Sequence, residues 1–140
     1  MAKRRRVEHL IRIAEVKAFT VHVSAGIDDA KGPNPKRSGS TWLEVRGVMD
    51  EPVKDTKSIR VSVHEAKDDN LGPNRPAVVG YVFGTRPDVD VVVTFETKLF
   101  ERTLAIALSG NLKNIWISMT PPKWSQADVP SIAFSNEPIE

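Results

Sequence analysis

The sequence contains no cysteine. Disulfide bonds, thiolate nucleophiles, iron–sulfur clusters and cysteine-ligated zinc are therefore excluded. The stability of the fold must come from buried apolar side chains and backbone hydrogen bonds. A cysteine-free chain is also compatible with a reducing compartment.

Long apolar runs are missing as well. No stretch approaches the run of about eighteen apolar residues of a transmembrane helix, and the N-terminus lacks the apolar block and small-residue cleavage site of a signal peptide. Charged residues make up 27% of the 140 residues and apolar residues 40%, which is typical of a globular domain. We expect a cytoplasmic protein without a membrane partner.

Common catalytic signatures are absent too. The sequence has no G-x-S-x-G elbow, phosphate-binding Walker loop, dinucleotide fingerprint or H-E-x-x-H helix, and its histidines, His9, His22 and His64, lack metal-ligand spacing. We therefore predict no catalytic residue and no cofactor. The alternative is a small hydrolase-like enzyme that uses His22 or His64, with aspartates of the repeated loops described below, as acid and base.

Basic residues are concentrated at the N-terminus. Lys3, Arg4, Arg5 and Arg6 supply four positive charges, so the rest of the chain is slightly acidic although the whole carries a net charge of +2. We expect residues 1–6 to form a flexible tail. A second alternative is that these four side chains bind the phosphates of nucleic acid.

Apolar and polar residues alternate over most of the chain, which indicates β-strands with one buried face. The clearest strand is Ser58–Glu65, in which Ile59, Val61 and Val63 alternate with polar residues. Eight apolar runs are separated by Gly, Pro, Asn and Asp, at 10–23, 41–49, 58–65, 77–83, 89–96, 99–108, 112–120 and 129–134. This pattern predicts an all-β domain, an antiparallel sandwich or closed barrel of about eight strands, over residues 7–135. Residues 136–140 are expected to be frayed.

Two runs admit a second interpretation. In the first run, the apolar residues Val7, Leu10, Ile11 and Ala14 have helical spacing. However, Ile11 and Ile13 are odd-numbered, like the apolar residues Phe19, Val21 and Val23 that follow. This favours a strand, interrupted by a bulge near Glu15–Lys17. In 99–108, three aliphatic residues alternate with two alanines, which favours a strand. A short helix is the alternative there, because Ala and Leu are good helix formers.

One loop pattern, D-D-x-x-G-P-N, occurs twice, at residues 28–34 and 68–74. The residue types suit tight turns, so a purely structural repeat explains the pattern. If duplicated strand–loop–strand units bring both loops to one end of the fold, their side chains can form a ligand site. The residues of this predicted site are Asp28, Asp29, Asn34, Asp68, Asp69 and Asn74. The four aspartates are also candidate ligands for a hard cation such as Ca²⁺ or Mg²⁺.

Two tryptophans have the parity opposite to the aliphatic residues of their strands. Trp42 and Trp116 are therefore candidates for the outer face of the sheet, although packing between sheets is the commoner role. Together these features predict a non-enzymatic binding or assembly module. Its expected partner is another protein or a second copy of the chain, bound through an exposed face or edge of the sheet.

Overall fold

The computed structural model describes residues 9–28, 31–66 and 78–137. It contains eight β-strands and one α-helix. These are β1 (Leu10–Asp28), β2 (Lys36–Val53), β3 (Thr56–Glu65), β4 (Gly80–Gly84), β5 (Val89–Phe95), α1 (Thr97–Leu108), β6 (Asn114–Met119), β7 (Ala127–Val129) and β8 (Ser131–Ser135).

The strands form one sheet that is curled into a nearly closed barrel. Their order is β7-β4-β5-β3-β2-β1-β6-β8. The two outermost strands are consecutive in sequence and are separated only by Pro130. The first pairs with β4 and the second with β6, and the Thr120 N–H donates to the Asp128 carbonyl at 2.9 Å. We call residues 127–135 the clasp, because this bent segment joins the two sides of the barrel.

The predicted all-β barrel of about eight strands with one short helix is thus confirmed. The strands are mixed, however, because β3 and β5 are parallel while every other neighbouring pair is antiparallel. The chain passes from β3 to β4 and then returns to place β5 between these two strands. Because β5 is antiparallel to β4 and parallel to β3, strand β4 runs opposite to β3.

The interior is built from the alternating aliphatic residues. Alternate residues are buried in β2 from Leu43 to Met49, in β3 from Ile59 to Val63 and in β5 from Val89 to Val93, and the same holds for Ile115, Ile117 and Met119 of β6. Polar residues at the intervening positions face outward. Burial on one face only is what period-two patterning produces in a barrel. Helix α1 adds Phe100 and Ala107 to the same core.

A β-bulge interrupts β1 where it was predicted. The register against β2 shifts between Val16 and Ala18, so Ala14 and Phe19 lie on the core-facing side although their numbers differ in parity. The bulge also marks the point where β1 leaves β6, since the last residue of β1 paired with β6 is Glu15.

Beyond the bulge, β1 and β2 extend past the barrel as a two-stranded ribbon. Strand β3 pairs with β2 only as far as Trp42, whereas β1 and β2 remain paired to Asp28 and Lys36. We call residues 23–28 and 36–41 the β-arm. Residues 36–40, which lie outside the apolar run 41–49 that predicted a strand, therefore belong to the ribbon as part of β2.

One local expectation is wrong, and two other segments differ from a simple interpretation of the pattern. Residues 97–108 form a helix, so the strand favoured for 99–108 is replaced by its alternative. Strand β4 is buried on one face only, with Tyr81 and Phe83 about half exposed. The turn between β2 and β3 is confined to Lys54 and Asp55, since β2 continues to Val53.

No helix in the described part of the chain is long and apolar enough to span a membrane.

Candidate functional site

Three aromatic rings form a stack on the outer face of the barrel. The register places His22 of β1, Trp42 of β2 and His64 of β3 side by side. The centroids of the His22 and Trp42 rings are 3.8 Å apart with planes 11° from parallel, and those of Trp42 and His64 are 5.7 Å apart at 13°. We call this set the His–Trp–His stack.

A charged network lies beside the stack on the same face. Glu44 Oε1 is 3.4 Å from an arginine nitrogen of Arg46 and 3.5 Å from Nε of Arg60. Arg60 Nε also donates to Asp90 Oδ1 at 2.8 Å. Asp90 is buried and the Glu44 side chain is 15% exposed, whereas the side chains of Arg46 and Arg60 reach into solvent, so the two carboxylates are balanced by guanidinium groups at the barrel surface.

The hydrogen bond and the charge of Asp90 raise the pKa of Arg60 above its ordinary value. A raised pKa means that folding stabilises the charged guanidinium. This stabilisation of the folded state is fully present at every pH below the ordinary pKa of arginine. It is lost only as the pH rises through the raised pKa of Arg60. The Arg60 guanidinium therefore stays charged throughout the neutral range.

The contact between the stack and the charged network is loose. His22 Nε2 lies 4.0 Å from Glu44 Oε2, which is too long for a hydrogen bond, and this nitrogen is buried without a partner among the described residues. Trp42 has an imidazole against each face of its indole. It therefore offers no free ring face to a ligand.

A second candidate site is the free side of β1. From Ala18 onward, none of the described strands pairs with β1 on the side away from β2. We call the segment Phe19–Ile27 the β1 edge. Phe19, Val23 and Ile27 are 38%, 75% and 60% exposed and lie on one face of the strand. A long edge with exposed apolar side chains is a template for pairing with another strand.

A cleft of about 890 Å³ opens where the β1 edge begins. It lies between the bulge and the segment that joins α1 to β6. Its walls are formed by residues 15–19 on one side and by Gly110, Leu112, Lys113, Asn114 and Asn136 on the other. The cleft gives a second strand room to approach β1 beside Phe19.

Most residues of the predicted D-D-x-x-G-P-N site lie outside the described part of the chain. These are Asp29, Asp68, Asp69 and Asn74. The backbone of Asp28 ends β1 opposite Lys36, and Asn34 is exposed in the turn at the tip of the β-arm. The ligand and cation site therefore stays a prediction. Over residues 9–28, 31–66 and 78–137, no group of three or more histidine or acidic side chains is placed to hold a metal ion.

The other sequence predictions have mixed outcomes at this level. Lys3, Arg4, Arg5 and Arg6 lie outside the described residues, so nucleic-acid binding by the tail stays a prediction. Trp116 is on the outer face and 45% exposed, as its parity indicated. The His–Trp–His stack was missed, because parity shows which face a residue occupies but not which residues are neighbours across strands.

Comparisons with protein-family models, with curated proteins and with solved structures found no match for this chain.

Proposed function

We propose that this protein is a non-enzymatic assembly module whose copies associate by pairing their β1 edges. The observation that carries this proposal is the length and exposure of that edge. The nine residues of the β1 edge pair with β2 on one side and with none of the described strands on the other. They include no proline, and Val23 and Ile27 are 75% and 60% exposed. Isolated two-stranded ribbons are marginally stable in water, so a projecting β-arm gains most from a third strand.

The sequence of the β1 edge is complementary to itself in the antiparallel direction. A twofold axis at Val23 sets Phe19 opposite Ile27 of the second copy and Val21 opposite Ala25. These residues all lie on one face, so pairing extends a single apolar surface across both copies. No two like charges oppose each other. Such a twofold contact closes on itself and gives a dimer.

The cleft beside Phe19 supports the same arrangement. Twofold pairing brings Ile27 of the second copy to the mouth of this cleft, where Leu112 is part of the wall. Each apolar cross-strand pair contributes about 0.2–1 kcal/mol. The pairs that involve Val23 and Ile27 therefore add to the stability that the ladder of backbone hydrogen bonds gives to a dimer.

A cysteine introduced at Val23 tests the pairing directly. Because the chain has no cysteine of its own, Val23→Cys can form a disulfide only between two copies. Residues opposite each other in antiparallel strands have Cα atoms about 4.5–5.5 Å apart, within the range that a disulfide requires. We expect mild oxidation to convert most of this variant to covalent dimer, measured by non-reducing electrophoresis.

Ile11→Cys is the matched control, because Ile11 is 65% exposed on the same strand but lies before the bulge. It is expected to stay largely monomeric under the same oxidation. In addition, light scattering without cross-linking should show the wild type as a dimer and the Val23→Lys variant as a monomer, since the two lysines would face each other across the interface. The proposal fails if the wild type is monomeric at about 100 µM, or if both cysteine variants cross-link equally.

A further inference from the structure

Two tight turns border a second cleft at the end of the barrel opposite the β-arm. Lys54 and Asp55 connect β2 to β3, and Trp124 and Ser125 connect the bridged residues Lys123 and Gln126. The cleft has a volume of about 600 Å³. Its lining residues are Lys54, Gly84, Thr85, Arg86, Trp124 and Ser125.

The backbone of both turns is in the left-handed region. The φ angles are +50° and +68° at Lys54 and Asp55, and +56° and +62° at Trp124 and Ser125. Among the described residues, these four are all the non-glycine positions with positive φ. Two-residue turns of this kind favour Asn-Gly, and a bulky residue there is strained. Strained backbone tends to cluster at functional sites.

The side chains that line the cleft, which do not include Asp55, are suited to an anionic ligand that has a flat ring. The Trp124 side chain is 90% exposed, so its indole face is available for stacking. Lys54 and Arg86 are exposed on the cleft wall, and none of the described lining residues is acidic. Thr85 Oγ1 and Ser125 Oγ, 3.3 Å apart, add hydroxyl groups.

We propose that this cleft binds a nucleotide unit, either as a free nucleotide or within a single-stranded nucleic acid. Lys54 and Arg86 would hold the phosphate through charge-assisted hydrogen bonds, and the base would stack on Trp124. A stacking role accounts for the presence of tryptophan in this strained turn, because asparagine or glycine would give a more stable turn but no stacking surface. The site is independent of the proposed dimer, since the β1 edge lies at the other end of β2.

Fluorescence anisotropy with two probes tests the proposal and separates the two sources of the ligand. The probes are a fluorescein-labelled single-stranded dT12 and a methylanthraniloyl-labelled AMP, each titrated with the full-length protein at low salt. The central variant is Trp124→Asn, because asparagine tolerates positive φ and the thermal stability should be retained or raised. We expect it to weaken binding by about tenfold or more, the loss typical of one stacked base.

The charge contribution is tested by Arg86→Gln, with Arg102→Gln on the exposed face of α1 as the matched control. Only Arg86→Gln should weaken binding of the probes.

A variant with Lys3, Arg4, Arg5 and Arg6 changed to Gln separates the cleft from the basic tail. Its binding of the probes should still be weakened by the additional change Trp124→Asn. Binding of both probes supports recognition of a single nucleotide, and binding of dT12 alone supports a single strand. Absence of binding, or unchanged binding by Trp124→Asn, overturns the proposal.

Discussion

At Gly80, the first residue of β4, strand β5 approaches so closely that no side chain fits. A Cβ atom at this position would collide with the Val92 carbonyl oxygen and lie 2.7 Å from Val93 Cγ1. Backbone atoms inside a sheet cannot move away without breaking ladder hydrogen bonds. We expect Gly80→Ala to lower the free energy of unfolding by about 2 kcal/mol or more, measured by urea denaturation.

Gly84 at the other end of β4 supplies the control. A Cβ there would lie 3.6 Å from Asp90 Oδ2, an ordinary van der Waals distance. Gly84→Ala should therefore change the free energy of unfolding by less than about 1 kcal/mol. Equal losses for the two variants would contradict the close approach at Gly80.

The composition of the outer face was predictable residue by residue, but its arrangement was not. Trp42 and His64 each have the parity opposite to the aliphatic residues of their strands, so their position outside the barrel follows from the sequence. Their stacking depends on the register between β2 and β3, which brings these two positions opposite each other. Register arises from the fit of whole strands, and no residue of the pair specifies it alone.

Among the elements, helix α1 shows how a local pattern can mislead. Leu104, Ile106 and Leu108 alternate as in a strand, yet Leu108 is 63% exposed. The residues that the helix buries are Phe100, Thr103 and Ala107, which have helical spacing. Thr103 and Ala107 are only weakly hydrophobic, so the helical spacing of the buried residues was harder to recognise in the sequence than the alternation of the larger aliphatic residues.

The N-terminus of α1 lacks a side-chain cap, which leads to a prediction. Glu96 occupies the N-cap position without a capping hydrogen bond, at φ −59° and ψ 159°, and the first turn has no acidic residue. A serine at this position would accept a hydrogen bond from a free backbone N–H group. We expect Glu96→Ser to raise the free energy of unfolding by about 0.5–1 kcal/mol, seen as a higher Tm.

Glu101→Ser removes the same charge from an exposed position inside the helix. It offers no cap and replaces a better helix former, so its Tm should fall slightly. A similar change in Tm for both variants would show that charge, and not capping, determines the effect.

The strands show where sequence patterning succeeds and where it ends. The bulge near Glu15–Lys17 was predicted at the right place, but Ile11, which shares the parity of Phe19, lies on the outer face, because the core-facing parity changes across the bulge. The β-arm was not predicted, because residues 36–40 are polar or glycine and are held in β2 only by pairing with β1. Pairing without burial leaves no periodic pattern in the sequence.

At the scale of the whole molecule, the two proposed surfaces lie at opposite ends of one rigid scaffold. Strand β2 begins in the β-arm and ends at the turn that carries Lys54. A dimer that joined through the β1 edges would therefore hold its two turn clefts far apart and leave both accessible. Assembly and ligand binding can then occur together without competing for the same surface.

The integrity of that scaffold depends on the clasp. Ala127 and Val129 are buried where the clasp pairs with β4, and Ile132 and Phe134 pack against the core beside β6. Without this segment the barrel has two open edges, and core residues such as Ile117 of β6 lose their cover. We expect a chain that ends at Ser125 to have no cooperative thermal transition, measured by circular dichroism.

A chain that ends at Glu137 keeps the whole clasp and should unfold cooperatively, near the wild-type Tm. Adding a synthetic peptide of residues 126–137 to the shorter chain should restore a transition, because the peptide can pair with β4 and β6 as the native segment does. If the chain ending at Ser125 unfolded cooperatively within a few degrees of the wild type, the barrel would be stable while open. Closure by the clasp would then be a consequence of the fold and not one of its causes.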